Sequence, residues 1–166
     1  MYLEEFYDYK NRLIKEIITD DDMVDLIDPN HTVDDPFDMI YENINPYEFY
    51  PETIEKGRVY LCCDVDVFST GDRPYYTLTL YIWVFAHKSL LKVPEGGVRT
   101  DKICAAIDRK INGSRYYGQG RLELNSSKRF APMADYAGKM LTYRATDVNK
   151  LSMINNDTPA NRKTDR

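Results

Sequence analysis

The sequence predicts an α+β fold: one mostly antiparallel β-sheet of two hairpins, packed with two helices, in the order α–arm–ββ–α–ββ. Three observations carry this. Residues 75–88, YYTLTLYIWVFAHK, are the longest run of β-branched, aromatic and apolar residues, with no Gly, Pro or Asn inside. Residues 58–68 alternate apolar and polar with a period of two. Residues 2–18 and 100–113 instead repeat their apolar positions at helical spacing.

Taken in order, the first helix places Leu3, Phe6, Leu13, Ile14, Ile17 and Ile18 on one side. Glu4, Glu5, Lys10, Arg12 and Lys15 fall on the other. Asp20, Asp21 and Asp22 then precede Met23, Val24, Leu26 and Ile27, a short helical turn stopped by Pro29, for which Asp20 or Asp21 is a good N-cap. Residues 29–57 read as an extended arm or long ordered loop. Prolines 29, 36, 46 and 51 fix the backbone there, and Phe37, Tyr41, Tyr47, Phe49 and Tyr50 offer docking surface. One helical turn fits residues 39–44.

In the first strand Val59, Leu61, Cys63, Val65 and Val67 point inward, with Arg58, Tyr60, Cys62, Asp64 and Asp66 outward. The turn Ser69 to Pro74 leads into the long strand, whose core face is Tyr76, Leu78, Leu80, Ile82, Val84 and Ala86. Its other face starts polar and ends aromatic, with Tyr81, Trp83 and Phe85, which suggests a surface that meets another layer or another chain. After a loop around Pro94 and Gly96-Gly97, Thr100 caps the next helix, whose stripe is Ile103, Ala106, Ile107 and Ile111, ended by Gly113. Residues 121–129 and 139–148 give two more strands, with Leu122, Leu124, Leu141, Tyr143 and Ala145 inward. The whole of 1–150 reads as one domain, and the polar residues 151–166 as a disordered tail.

Composition narrows the classes. Three cysteines, two of them adjacent, give neither a disulfide framework nor zinc spacing, which fits a reducing cytosolic origin. The charged N-terminus has no apolar signal region, and no stretch is long and apolar enough to span a membrane. Fourteen tyrosines suit sheets and protein interfaces alike. The net charge of −5 is unevenly placed: residues 1–57 hold sixteen Asp/Glu against four Lys/Arg, and residues 58–166 eleven against eighteen. An acidic front and a basic back can associate with copies of the same chain or with other partners.

Candidate chemistry is sparse. Asp64 and Asp66 share the outward face of one strand, about 6.6 Å apart along it, and with Glu42 or Glu55 form an alternative reading as a Mg²⁺ site of a metal-dependent nuclease or other small enzyme. The adjacent strand supplies no acid or Lys before Lys88 to complete that site. His31 and His87 are too few for a metal motif, and Cys104 is most simply a packing thiol. The stretch 113–121, GSRYYGQGR, follows a helix and lacks a P-loop ending. With Arg109, Lys110, Lys128 and Arg129, its Arg115 and Arg121 give a basic partner contact, for an acidic subunit or for a DNA backbone as a DNA-binding accessory protein. No cofactor is expected.

Several stretches together resemble the tail-terminator and tail-completion proteins of tailed bacteriophages. They are Asp25-Leu26-Ile27-Asp28 after an amphipathic helix, Arg99-Thr100-Asp101 leading into Ile107-Asp108-Arg109, Asn112-Gly113, and the closing Leu141-Thr142-Tyr143-Arg144-Ala145-Thr146-Asp147. The resemblance spans roughly 1–150 in element order. It implies a non-enzymatic virion protein, assembled in the bacterial cytoplasm, that forms a homo-oligomeric ring, commonly a hexamer, at the neck. Its neighbours would be the tail tube and the head-side connector, with DNA passing through the lumen. Tyr47, Phe49 and Tyr50 of the arm, with Tyr81, Trp83 and Phe85, are the expected subunit interface.

Overall fold

A computed structural model describes residues 4–53, 57–69 and 75–148. The fold is α+β, as the pattern predicts. Helices α1 (Glu4–Ile18), α2 (Asp21–Ile27) and α3 (Arg99–Ile111) pack on one face of a five-stranded sheet. Its strands are β1 (Ile44–Asn45), β2 (Val59–Ser69), β3 (Tyr75–His87), β4 (Glu123–Phe130) and β5 (Tyr136–Val148), in the order β1-β2-β3-β5-β4. The two expected hairpins, β2–β3 and β4–β5, are joined by antiparallel pairing of β3 with β5 along the full length of both. The tail at 151–166 and most of the turn at 69–74 lie outside the described residues.

The main core follows the period-two and helical stripes. Leu13, Ile14, Ile17 and Ile18 of α1 and Ile103, Ile107 and Ile111 of α3 meet Leu61, Cys63, Leu78, Leu80, Ile82, Leu141 and Tyr143. Each fully covered aliphatic side chain contributes about 1.5–3 kcal/mol of transfer free energy. Asp20 does cap α2: its carboxylate accepts from the Met23 N–H at 3.1 Å. The Asp28 carboxylate at the far end of α2 accepts from Thr32 N, Thr32 Oγ1 and Val33 N, and so sets the direction in which the chain leaves the helix.

Five expectations change. The short turn at 21–27 is a helix in its own right, so three helices pack on the sheet where two were expected. The arm is a structural part of the sheet: β1 pairs in parallel with Leu61 and Cys62, and Leu61 N donates to Asn43 O at 2.8 Å. Its helical turn falls at Pro36–Met39. Thr100 does not cap α3, because the helix begins two residues earlier, at Arg99. Arg99 is pinned there by its N–H to Leu91 O and by its guanidinium to Leu90 O and Leu26 O, so uncapped Val98 becomes the N-cap. Leu124 is 40% exposed, since an irregularity between Leu124 and Ser126 shifts the β4 register, whereas Leu122, just before the strand, is fully buried.

Candidate assembly surface

The second face of the sheet divides into a covered half and an open half. Across the covered half, Tyr60 of β2 stacks on Phe85 of β3 at 5.2 Å, and Phe85 meets Tyr136 and Phe130 edge-on. The arm closes this layer by laying Phe49 against Tyr60 at 5.5 Å, while Tyr50 reaches Phe130. The result is a second core of Tyr60, Cys62, Trp83, Phe85 and Tyr136, of which alternation places the first four on the faces away from the main core, and Tyr136 in a connection. Burial pushes the thiols of Cys62, Cys63 and Cys104 up to about 12, so all three are packing residues with little thiolate.

This layer redistributes the expected interface residues. Phe85 is 0% exposed and Trp83 7%, so their surface is already covered within one copy of the chain, in a layer that Phe130, Met133 and Met140 close together with Phe49 of the arm. Tyr81 stacks on Trp83 and is half-buried, and Phe49 is half-buried in the same layer. Tyr47 and Tyr50 keep about half of their surface in solvent. Two arm residues absent from the expected set are more exposed still: Phe37 at 60% and Tyr41 at 67%.

Local structure turns these two outward. Asp35 caps the short turn Pro36–Met39 by accepting from Phe37 N, and buried Met39 anchors it. Phe37 is thereby left facing solvent. Tyr41 adopts φ +71°, a left-handed conformation that a bulky residue holds only under outside restraint. Here the restraint is its N–H bond to Ile44 O at 2.8 Å, and the Tyr41 ring sits 6.5 Å from that of Tyr47. The positive φ is a signal that no sequence pattern carries. Asp34 and Asp38 flank this ridge and make no ion pair among the described residues.

The four basic candidates do not form one patch. Arg109 lies on the last turn of α3 and lines a groove with Asp20 and Asp22, where Lys110 already pairs with Asp20 at 2.5 Å. Arg115 is in the loop beside Tyr116, whose ring carries the Arg12 guanidinium at 4.9 Å. Arg121 precedes β4 and Arg129 is near its end, eight residues away or about 26 Å along a strand. All four are exposed and make no ion pair among the described residues.

Asp64 has a local role. Its carboxylate accepts from Lys10 Nζ at 3.2 Å and from Val65 N at 2.9 Å. Leu61 N points to β1, so by strand alternation Val65 N points to the same side, beyond the end of β1. Asp64 therefore occupies an edge donor that β1 is too short to reach. Asp66 is exposed, and among the described residues no group of three His, Cys, Asp or Glu is placed to hold a metal ion.

Charge is polarised across the sheet. Residues 30–45 hold four acids and no Lys or Arg, and they lead into β1 at its edge of the sheet. Residues 121–130 hold Arg121, Lys128 and Arg129 against Glu123 and form the opposite edge, about 19 Å away across four strand spacings.

Fold and surface together define an α+β protein with an acidic aromatic arm at one sheet edge and a basic strand at the other. Residues 10–145 match the family described as YomW, and the chain belongs to that family. The family is phage-derived, which makes this a phage-associated protein. No curated protein matches the chain. Among the described residues no helix is long and apolar enough to cross a membrane.

Proposed function

We propose that this chain is a structural protein of a tailed-phage virion that forms a ring at the head–tail junction, ending the tail or joining it to the head. On this reading it is not an enzyme, and its partners are copies of itself, the tail tube and the head-side connector, with DNA in the lumen. The observation that carries the proposal is the opposite charge of the two sheet edges. A surface that complements a different surface of the same molecule gives a head-to-tail contact, and such contacts close into rings when the rotation between copies allows it. Membership of a phage-derived family and the sequence resemblance to tail-completion proteins in element order support the same reading.

The reading is tested in a phage that carries the gene. A nonsense mutation should leave filled heads and tails that fail to join, or tails of uncontrolled length, and the protein should be found in wild-type virions by mass spectrometry. Normal virions from the mutant, or particles lacking the protein, would remove it from the neck. The nuclease alternative is less favoured, because Asp64 is already occupied by Lys10 and Val65 N–H.

A further inference from the structure

We infer that the ridge made by Asp34, Phe37, Asp38 and Tyr41 is the surface by which one copy grips the β4 edge of the next, at Arg121, Lys128 and Arg129. This rests on the ring reading and names the surfaces that meet.

The ridge has the chemistry that a guanidinium favours. Carboxylates of Asp34 and Asp38 alternate with the exposed rings of Phe37 and Tyr41, so an incoming Arg can pair with an acid and lay its planar face on an aromatic ring. The ridge is also held in place before any partner arrives. Asp35 caps its turn, Met39 anchors it, and Tyr41 keeps a left-handed backbone that its N–H bond to Ile44 O sustains. A left-handed backbone at an aromatic whose ring meets only the likewise exposed Tyr47 among the described residues points to a use outside the chain.

The β4 edge offers the complement. It is an outer strand, exposed along most of its length, with three cations and one acid in residues 121–130. None of these cations forms an ion pair among the described residues. The two surfaces stand at opposite edges of one sheet, so a single copy cannot bring them together. A second copy can, and every copy then carries one used ridge and one used edge. A nucleic acid could also satisfy the cations, but it would leave the acidic aromatic ridge without a counterpart.

The test combines charge reversal with a swap. The double variants Asp34→Lys/Asp38→Lys and Lys128→Glu/Arg129→Glu alter only exposed positions, and unchanged circular dichroism checks their folding. Each alone should weaken self-association, read by light scattering across a concentration series, at least about tenfold. The chain carrying all four changes should recover it. If wild-type rings persist in both double variants, the ring reading stands and this pairing of surfaces falls. If the wild type is monomeric, amide shifts over a concentration series up to about 1 mM should still move together at 34–41 and 121–130. Shifts elsewhere, or none, overturn the inference. A Lys128→Glu/Arg129→Glu variant that keeps self-association but loses a salt-dependent affinity for a DNA duplex assigns the edge to nucleic acid instead.

Discussion

Lys10 joins three parts of the chain through one ammonium group, 3.2 Å from the Asp64 carboxylate of β2 and 2.9 Å from the Pro46 carbonyl of the arm. Helix, sheet edge and arm meet there, which gives Asp64 a positional role. Both side chains are partly exposed, at 23% and 42%, so solvent screens the pair. Asp64→Ala should cost about 0.5–1 kcal/mol in urea unfolding and leave the response to Mg²⁺ unchanged. Heat on titrating Mg²⁺ into the wild type, abolished in the variant, would restore the metal site.

Phe85 and Phe37 should separate folding from assembly. Phe85→Ala empties the centre of the second core and should cost about 4 kcal/mol in the monomer. Phe37→Ala removes a ring that touches little and should change stability by less than about 0.5 kcal/mol. Tyr41→Gly should hold or raise stability, since glycine accepts φ +71° without strain. A large loss on Tyr41→Gly would mean that the Tyr41 ring supports its own chain.

Gly138 faces the backbone of β3 where no side chain fits. A Cβ there would stand 1.9 Å from Val84 O and 2.6 Å from Phe85 Cα, both main-chain atoms. Gly138→Ala should therefore cost about 3 kcal/mol, with loss of the β3–β5 register at that end. Gly113 is a useful contrast: its φ is +83° but nothing lies within 4 Å. Gly113→Ala should cost only about 1 kcal/mol. Equal losses in chemical unfolding would contradict the close approach at Gly138.

Asp20 should shape the acid limb of the stability profile. Its carboxyl is held below its ordinary 3.8, chiefly by the hydrogen bond from Lys110 and then by the Met23 N–H. A depressed folded-state value means that the contribution is complete above about pH 4 and is lost as pH falls through the folded value. Asp20→Asn keeps a cap and removes the charge, so its deficit of about 0.5 kcal/mol at neutral pH should close in acid. Asp20→Ala removes the cap as well and should cost about 1 kcal/mol more at neutral pH. A deficit for Asn that is independent of pH would argue against the Lys110 pair.

Much of the fold could be read in the chain because its patterns are long. The alternation in β2 and β3 and the helical stripes of α1 and α3 placed Leu61, Leu80, Ile107 and their neighbours on the correct face. What escaped was local or cooperative. A two-residue strand such as Ile44–Asn45 carries no periodicity, and its place comes from bonds that Asn43 makes to β2. Trp83 and Phe85 lie on a face that the pattern assigns to another layer or another chain, and the structure supplies the layer from within the chain. The continuous apolar run Ile82 to Ala86 is the sign of this, since a strand covered on both faces has no reason to alternate. Thr100 is a good capping residue, but the tertiary bonds of Arg99 outweigh a preference worth about 1 kcal/mol.

Trp83 is the only tryptophan of the chain, and it sits in the layer that the arm closes, stacked on Tyr81 at 5.7 Å. The chain's one tryptophan thus lies on the arm side of the sheet, away from the helices. Its emission reads the layer in which Phe49 of the arm packs, while far-ultraviolet circular dichroism reads helices and sheet together. An emission shift to longer wavelength that precedes the loss of ellipticity would show the arm peeling away from an intact body. Coincident curves would make arm and body a single cooperative unit.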